Sequence, residues 1–127
     1  MLTPRKGDGK IVTSIVYFDD LDPDCLVGHI HLRASAFGKL WSICEQRGER
    51  VLADIHTHPR DWVAQSETDQ DNPMIAKAGH LALIAPRYAQ GTIATCNVGV
   101  HGYLGDAGWK SWRGREAAHR IYVGRWP

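Results

Sequence analysis

Two histidines close an apolar run, a proline follows them, and a serine and an aspartate recur at fixed distance downstream. The stretch reads His56-Thr57-His58-Pro59, then six residues, then Ser66-Glu67-Thr68-Asp69. Residues i and i+2 of an extended segment face the same side. The run before them, Val51-Leu52-Ala53-Asp54-Ile55, is apolar and branched enough to predict a strand. Pro59 has no N–H to give a ladder and ends it. Two imidazoles therefore project together from a strand end. Ser66 opens a polar run that predicts a helix over 66–78, with Ser66 as N-cap and Asp69 one turn in, where its carboxylate complements the helix dipole. Two imidazoles and a carboxylate make three protein ligands, the number a catalytic zinc takes when water holds the fourth position. His56, His58 and Asp69 are the candidate ligands, and Ser66 is the hydroxyl beside them. A single His, or Ser-x-x-Asp alone, is commonplace. The five residues together, at these spacings, arise by accident in roughly 1 in 10⁵ to 1 in 10⁴ chains of this size.

The composition narrows the class. A chain of 127 residues is one domain, residues 1–127, with room for a single core. Fifteen Lys and Arg against fourteen Asp and Glu leave a net charge of +1, so no nucleic-acid footprint or polybasic membrane patch is expected. No apolar run nears the roughly 20 residues that span a bilayer, and Met1 to Lys10 lacks the apolar core of a signal peptide. Cys25, Cys44 and Cys96 are odd in number and widely spaced, which predicts reduced thiols in a cytoplasmic protein.

The pattern His-x-His-Pro-x₆-Ser-x-x-Asp resembles the signature of the JAMM/MPN+ metalloproteases, and the likeness runs from about Lys10 to Val123. Gly79-His-Leu-Ala-Leu-Ile-Ala-Pro86 resembles the apolar strand that follows the ligand helix in bacterial members. The resemblance implies an α/β fold of the deaminase-like (MPN) type, a central mixed sheet flanked by helices. It also implies Zn²⁺ at His56, His58 and Asp69, and Ser66 on the oxyanion or the catalytic water. The implied activity is hydrolysis after the C-terminal tail of a ubiquitin-like protein. The partners it implies are that protein or its conjugate, together with the activating-like and conjugating-like enzymes of the same operon. The family carries its general base as Glu-x-x-Gly on an earlier strand. Here only Glu45 and Glu49 precede His56, one in a predicted helix over 34–47 and one in the turn after it. By the resemblance the chain lacks the family's first helix and Glu-bearing strand. Either it starts late, it is naturally short, or another carboxylate substitutes, and the base is left unassigned. Asp54, on the strand face of His56, is expected to orient a ligand imidazole. Two alternatives stand beside the peptidase: a catalytically impaired binding module for a ubiquitin-like partner, and a small-molecule zinc amidase.

Along the rest of the chain, Met1 to Gly9 reads as polar loop, Ile11–Phe18 as a strand, Asp19–Asp24 as an acidic turn, and Ile30–Leu32 as a short strand. The helix over 34–47 should bury Phe37, Leu40, Trp41 and Cys44. Strands are expected near Leu81–Ala85, Thr92–Asn97 and Val100–Leu104, with a turn at Gly105–Gly108. Trp109–Val123 closes the domain as helix or strand. Trp62, in the loop between the ligands, either touches a substrate tail or packs over the loop. His29-Ile30-His31 repeats the His-x-His spacing without Pro or Ser-x-x-Asp. His80 is expected at a helix end, and Trp109, Trp112 and Trp126 in late-sheet packing.

Overall fold

The computed structural model describes residues 1–27 and 30–124; His29 and Trp126 lie outside them. Contacts divide the chain into two compact units, Met1–Leu52 and Ala53–Pro127.

In the first unit, β1 (Leu2–Pro4) pairs antiparallel with β2 (Glu49–Val51), Leu2 opposite Val51. The N-terminal residues are thus not loop: Leu2 and Thr3, on opposite faces of the strand, are both buried, and a strand of three residues is too short to show a period in the sequence. The strand expected at Ile11–Phe18 is instead an irregular segment, joined to β1 by one bridge, Ser14 to Leu2. Ile11, Val12, Ile15 and Tyr17 are exposed. Branched residues favour a strand only where a neighbouring edge and a packed face receive them. Within the expected acidic turn, α1 (Phe18–Leu21) forms. Asp22 then accepts from the Arg33 guanidinium and from the Asp24 and Arg33 amides. The Arg33 hydrogen bonds hold its carboxyl well below the usual range. Residues 30–32 carry no strand: His31 gives its N–H to Cys25 O, a turn closure and not a ladder.

The helix α2 (Ala34–Arg47) has the expected bounds, closed by Gly48 in the left-handed region at φ 63°. Its buried stripe is Ala36, Leu40 and Cys44, at spacing four. Phe37, half-buried, and Trp41 do not join it. Small side chains at Ala36 and Cys44 bring the helix in on that line, and the indole lies at its margin, 47% exposed, with its ring 6.3 Å from Phe37.

The second unit holds a four-stranded mixed sheet in the order β3 (Ala53–Thr57), β4 (Leu81–Ala85), β5 (Gly99–Tyr103), β6 (Trp109–Trp112). The first pair is parallel and the others antiparallel. Its core gathers Ala53, Ala82, Leu83, Ile84 and Val100. The helix expected over 66–78 shortens to α3 (Glu67–Asp71). Pro73 disfavours helical backbone at Asn72 and ends it there. Thr92–Asn97 is not a strand; Ala94 O takes the Asn97 N–H in a 3₁₀ turn at Thr95–Asn97, and β5 begins two residues later. The closing segment is both strand and helix: β6, then α4 (Arg115–Ala118), separated by Gly114 at φ 58°. The cysteines are free thiols. Among the described residues no helix is long and apolar enough to cross a membrane.

Candidate metal centre

The parallel register sets His56 of β3 opposite Ile84 and Thr57 opposite Ala85. One more ladder bond, His58 N to Ala85 O at 2.9 Å, carries the pairing past the strand end. Both imidazoles therefore leave the sheet where β3 and β4 finish together. Across the loop 59–65, Ser66 caps α3 and supplies the third group, Asp69. The Ser66 hydroxyl donates to Asp69 Oδ2 at 2.7 Å, the Ser66 N–H donates to the same oxygen at 2.8 Å, and the Asp69 N–H returns to Ser66 Oγ at 3.1 Å. This reciprocal capping box fixes where the carboxylate points.

The three side chains converge. His56 Nε2 lies 3.3 Å from His58 Nε2. Asp69 Oδ1 is 3.5 Å from His56 Nε2, and Oδ2 is 3.6 Å from His58 Nε2. A tetrahedral ion with bonds of about 2.0–2.2 Å keeps its donors about 3.3–3.6 Å apart, the edge being 1.63 times the bond. The nitrogen–nitrogen separation matches such an edge, each imidazole has one Asp69 oxygen at a comparable distance, and one ligand atom from each residue lies within 4.8 Å of the others, so His56, His58 and Asp69 could hold a metal ion. Among the described residues, no other group of three such side chains closes in this way.

Tautomer and charge agree with that role. His58 Nδ1 donates to Trp62 O at 3.0 Å, so in the neutral ring the Nε2 lone pair faces the other two groups. Burial lowers the pKa of His56 and keeps it neutral. Burial raises that of Asp69, but the Ser66 amide, the Ser66 hydroxyl and the two imidazoles outweigh it and hold the carboxyl ionised below its usual range.

Sequence reasoning placed His56, His58, Ser66 and Asp69 together, and the fold brings these four together. Asp54 goes elsewhere: its carboxylate takes His80 Nε2 at 2.6 Å, both groups buried. The bond expected to a ligand imidazole is made to His80. That histidine, next to the start of β4, ties it to β3; the preceding helix ends earlier, at Asp71, so His80 does not follow a helix end as expected. Trp62 stacks on His58 with centroids 5.2 Å apart and planes 17° from parallel, and it is 54% exposed beside the candidate ligands. Glu49 is buried at the start of β2, where it accepts the Thr13 and Ser14 hydroxyls at 2.5 and 2.6 Å. Glu45 is exposed on α2.

Four features that the sequence reading missed secure the loop between the ligands. His101, almost wholly buried on β5, reaches Val63 O from Nε2 at 2.9 Å and meets Ser111 Oγ at Nδ1 at 2.8 Å. Gly99, on the same strand, lies so close beneath that a Cβ would collide with Val63 O. Arg87 pairs with Asp61. Arg87, Tyr88 and Ala89 hold φ of 51, 51 and 56°, a left-handed turn that costs about 1–2 kcal/mol per residue. Backbone bonds from Arg87 N to Arg60 O and Tyr88 N to His58 O offset that cost. A histidine within Val100-His101-Gly102 was the one visible signal: a polar ring where the strand should face inward. On the ligand helix, Trp109 Nε1 donates to Gln70 O at 3.0 Å. No family model matches the chain.

Proposed function

We propose that this chain is a zinc-dependent peptidase or isopeptidase of the JAMM/MPN+ type. It would act after the C-terminal tail of a ubiquitin-like protein, on a deaminase-like α/β scaffold. The observation that carries the reading is the convergence of the His56 and His58 Nε2 atoms, 3.3 Å apart, with the Asp69 carboxylate, each nitrogen within 3.6 Å of one of its oxygens. The spacing His-x-His-Pro-x₆-Ser-x-x-Asp supports the family, and the two-imidazole, one-carboxylate donor set suits zinc above harder cations.

When bound, zinc would acidify water and polarise the scissile carbonyl. The chain's own contribution is positional. Trp62 O orients His58, and the capping box aims Asp69. The Ser66 hydroxyl, turned off Asp69 Oδ2, would donate to the oxyanion developing on the scissile carbonyl. A carboxylate should then move the proton to the leaving amine. Asp54 and Asp61 are committed to His80 and Arg87, so that role is unassigned.

The second reading, a binding module that keeps the metal and the tail site but turns over slowly, draws on the same commitment of carboxylates. Elemental analysis after purification without chelator should give about one zinc per chain, lost in His56→Ala, His58→Ala and Asp69→Ala. Full retention in all three removes the assignment. Cleavage of a ubiquitin-like fusion by the metal-loaded chain then decides between peptidase and binding module.

A further inference from the structure

We infer that His101 is a positioning residue for the metal centre, acting through the loop that joins the ligands; this rests on the metal-site reading above. The argument begins with two successive carbonyls. Trp62 O accepts from His58 Nδ1 at 3.0 Å, and Val63 O, one peptide later, accepts from His101 Nε2 at 2.9 Å. The two carbonyls lie in successive peptide planes joined at the Val63 Cα, so once the second is anchored only the Val63 φ and ψ are left to reorient the first, and a β-branched residue restricts both. Ser111 of β6 meets His101 Nδ1 at 2.8 Å. A hydroxyl donating to Nδ1 leaves the ring proton on Nε2, aimed at Val63 O.

The chain of contacts runs from β6 through β5 to the loop and then to the ligand. Ser111 sets the tautomer of His101, His101 holds Val63 O and with it the Val63–Ala64 peptide, Val63 joins that plane to the Trp62–Val63 peptide, and Trp62 O holds His58 with Nε2 toward Asp69. Gly99 is the sterically required part of the clamp, since any side chain there would drive Val63 O off the imidazole. His101 is 1% exposed and its hydrogen bonds go to Ser111 and Val63 O, not to any of the three candidate ligands, so its influence passes through the loop backbone. Burial keeps the ring neutral, and a neutral ring has one N–H to give, here spent on Val63.

A group bonded directly to a metal-ligating imidazole typically contributes about 10- to 100-fold to metal affinity; His101 acts on that group from one residue away, so its contribution belongs at the lower end. The test measures Zn²⁺ affinity against a chromophoric chelator, with ¹⁵N shifts of the His58 ring in the metal-free protein. Wild type should bind one Zn²⁺ and show the Nδ1–H tautomer of His58. His101→Leu should bind up to about 10-fold more weakly and show a mixed His58 tautomer. His101→Gln, whose amide N–H can still reach Val63 O, should recover most of the affinity. Ser111→Ala, an exposed change that should not disturb folding, should weaken binding by a smaller factor in the same direction. Leu83→Ala, in the core away from the loop, should lower the melting temperature and leave affinity and tautomer as in wild type. If His101→Leu and Ser111→Ala both bind as wild type, or if Leu83→Ala weakens binding as much, His101 is only a core residue and the inference is wrong. If wild type itself takes up no Zn²⁺, the metal-site reading fails and takes this one with it.

Discussion

Ser66 and Asp69 exchange three hydrogen bonds, and all three serve both the helix and the site. The Ser66 amide and hydroxyl converge on Asp69 Oδ2 at 2.8 and 2.7 Å, and the Asp69 amide returns to Ser66 Oγ at 3.1 Å. The helix that follows is only five residues long, too short to hold itself by propensity. The cap therefore both starts it and points the ligand.

Ser66→Ala should separate these roles. Loss of the cap should cost about 1 kcal/mol of stability, read by denaturant titration. The Ser66 amide still bonds Asp69, so zinc content should hold. If the hydroxyl also donates to an oxyanion, hydrolysis of a ubiquitin-like fusion should fall by about 10²-fold or more. A variant as fast as wild type would show that Ser66 only caps.

The metal-free protein should lose stability as pH falls through the histidine range. Burial lowers the pKa of His101 in the fold, so the unfolded chain binds the proton first. A depressed folded pKa means the stability is present above the unfolded value of about 6.5 and is lost progressively below it. His56 is shifted the same way, also by burial. Melting temperatures between pH 8 and 5 should fall toward acid, and His101→Gln should flatten that fall. An unchanged slope in that variant would exclude His101 as a source.

A second loss should come lower. The Ser14 hydroxyl, then that of Thr13, draws Glu49 below its ordinary range. For a carboxylate with a depressed folded pKa, stability is complete above the unfolded value, near 4.3, and disappears as pH falls through the folded one. Glu49→Gln should cut stability at neutral pH and narrow the gap to wild type in acid. Glu45→Gln, on the exposed face of α2, should change neither stability nor turnover. A constant gap for Glu49→Gln from pH 7 to 3 would contradict the coupling.

Ala89 sits at φ 56° in the left-handed turn after β4 and is exposed. Glycine reaches that region freely, at some cost in chain entropy. Ala89→Gly should therefore raise the melting temperature slightly, by up to about 1 kcal/mol of stability. A decrease would mean that the turn is not strained at Ala89. Breaking the exposed Arg87–Asp61 pair with Asp61→Asn should cost no more than about 1 kcal/mol.

The sequence by itself determined the pieces whose signal is local. The bounds of α2 follow from its periodicity and from Gly48. The strand Leu81–Ala85 follows from an uninterrupted apolar run. The candidate metal group follows from side chains fixed at i and i+2 on a strand end and at a cap. What failed was what depends on a distant partner. Ile11–Phe18 has the composition of a strand, yet β1 takes β2 as its ladder partner and leaves it one bridge. Asp54 shares a strand face with His56, yet buried His80, brought alongside by the β3–β4 register, takes its carboxylate. His101 is forty-five positions from His56, and nothing in its neighbours announces that Val63 O lies above it. Local backbone geometry is set by neighbouring residues, so it can be read in order along the chain. Which buried polar groups meet is set by sheet register and loop path, and only the folded chain decides those.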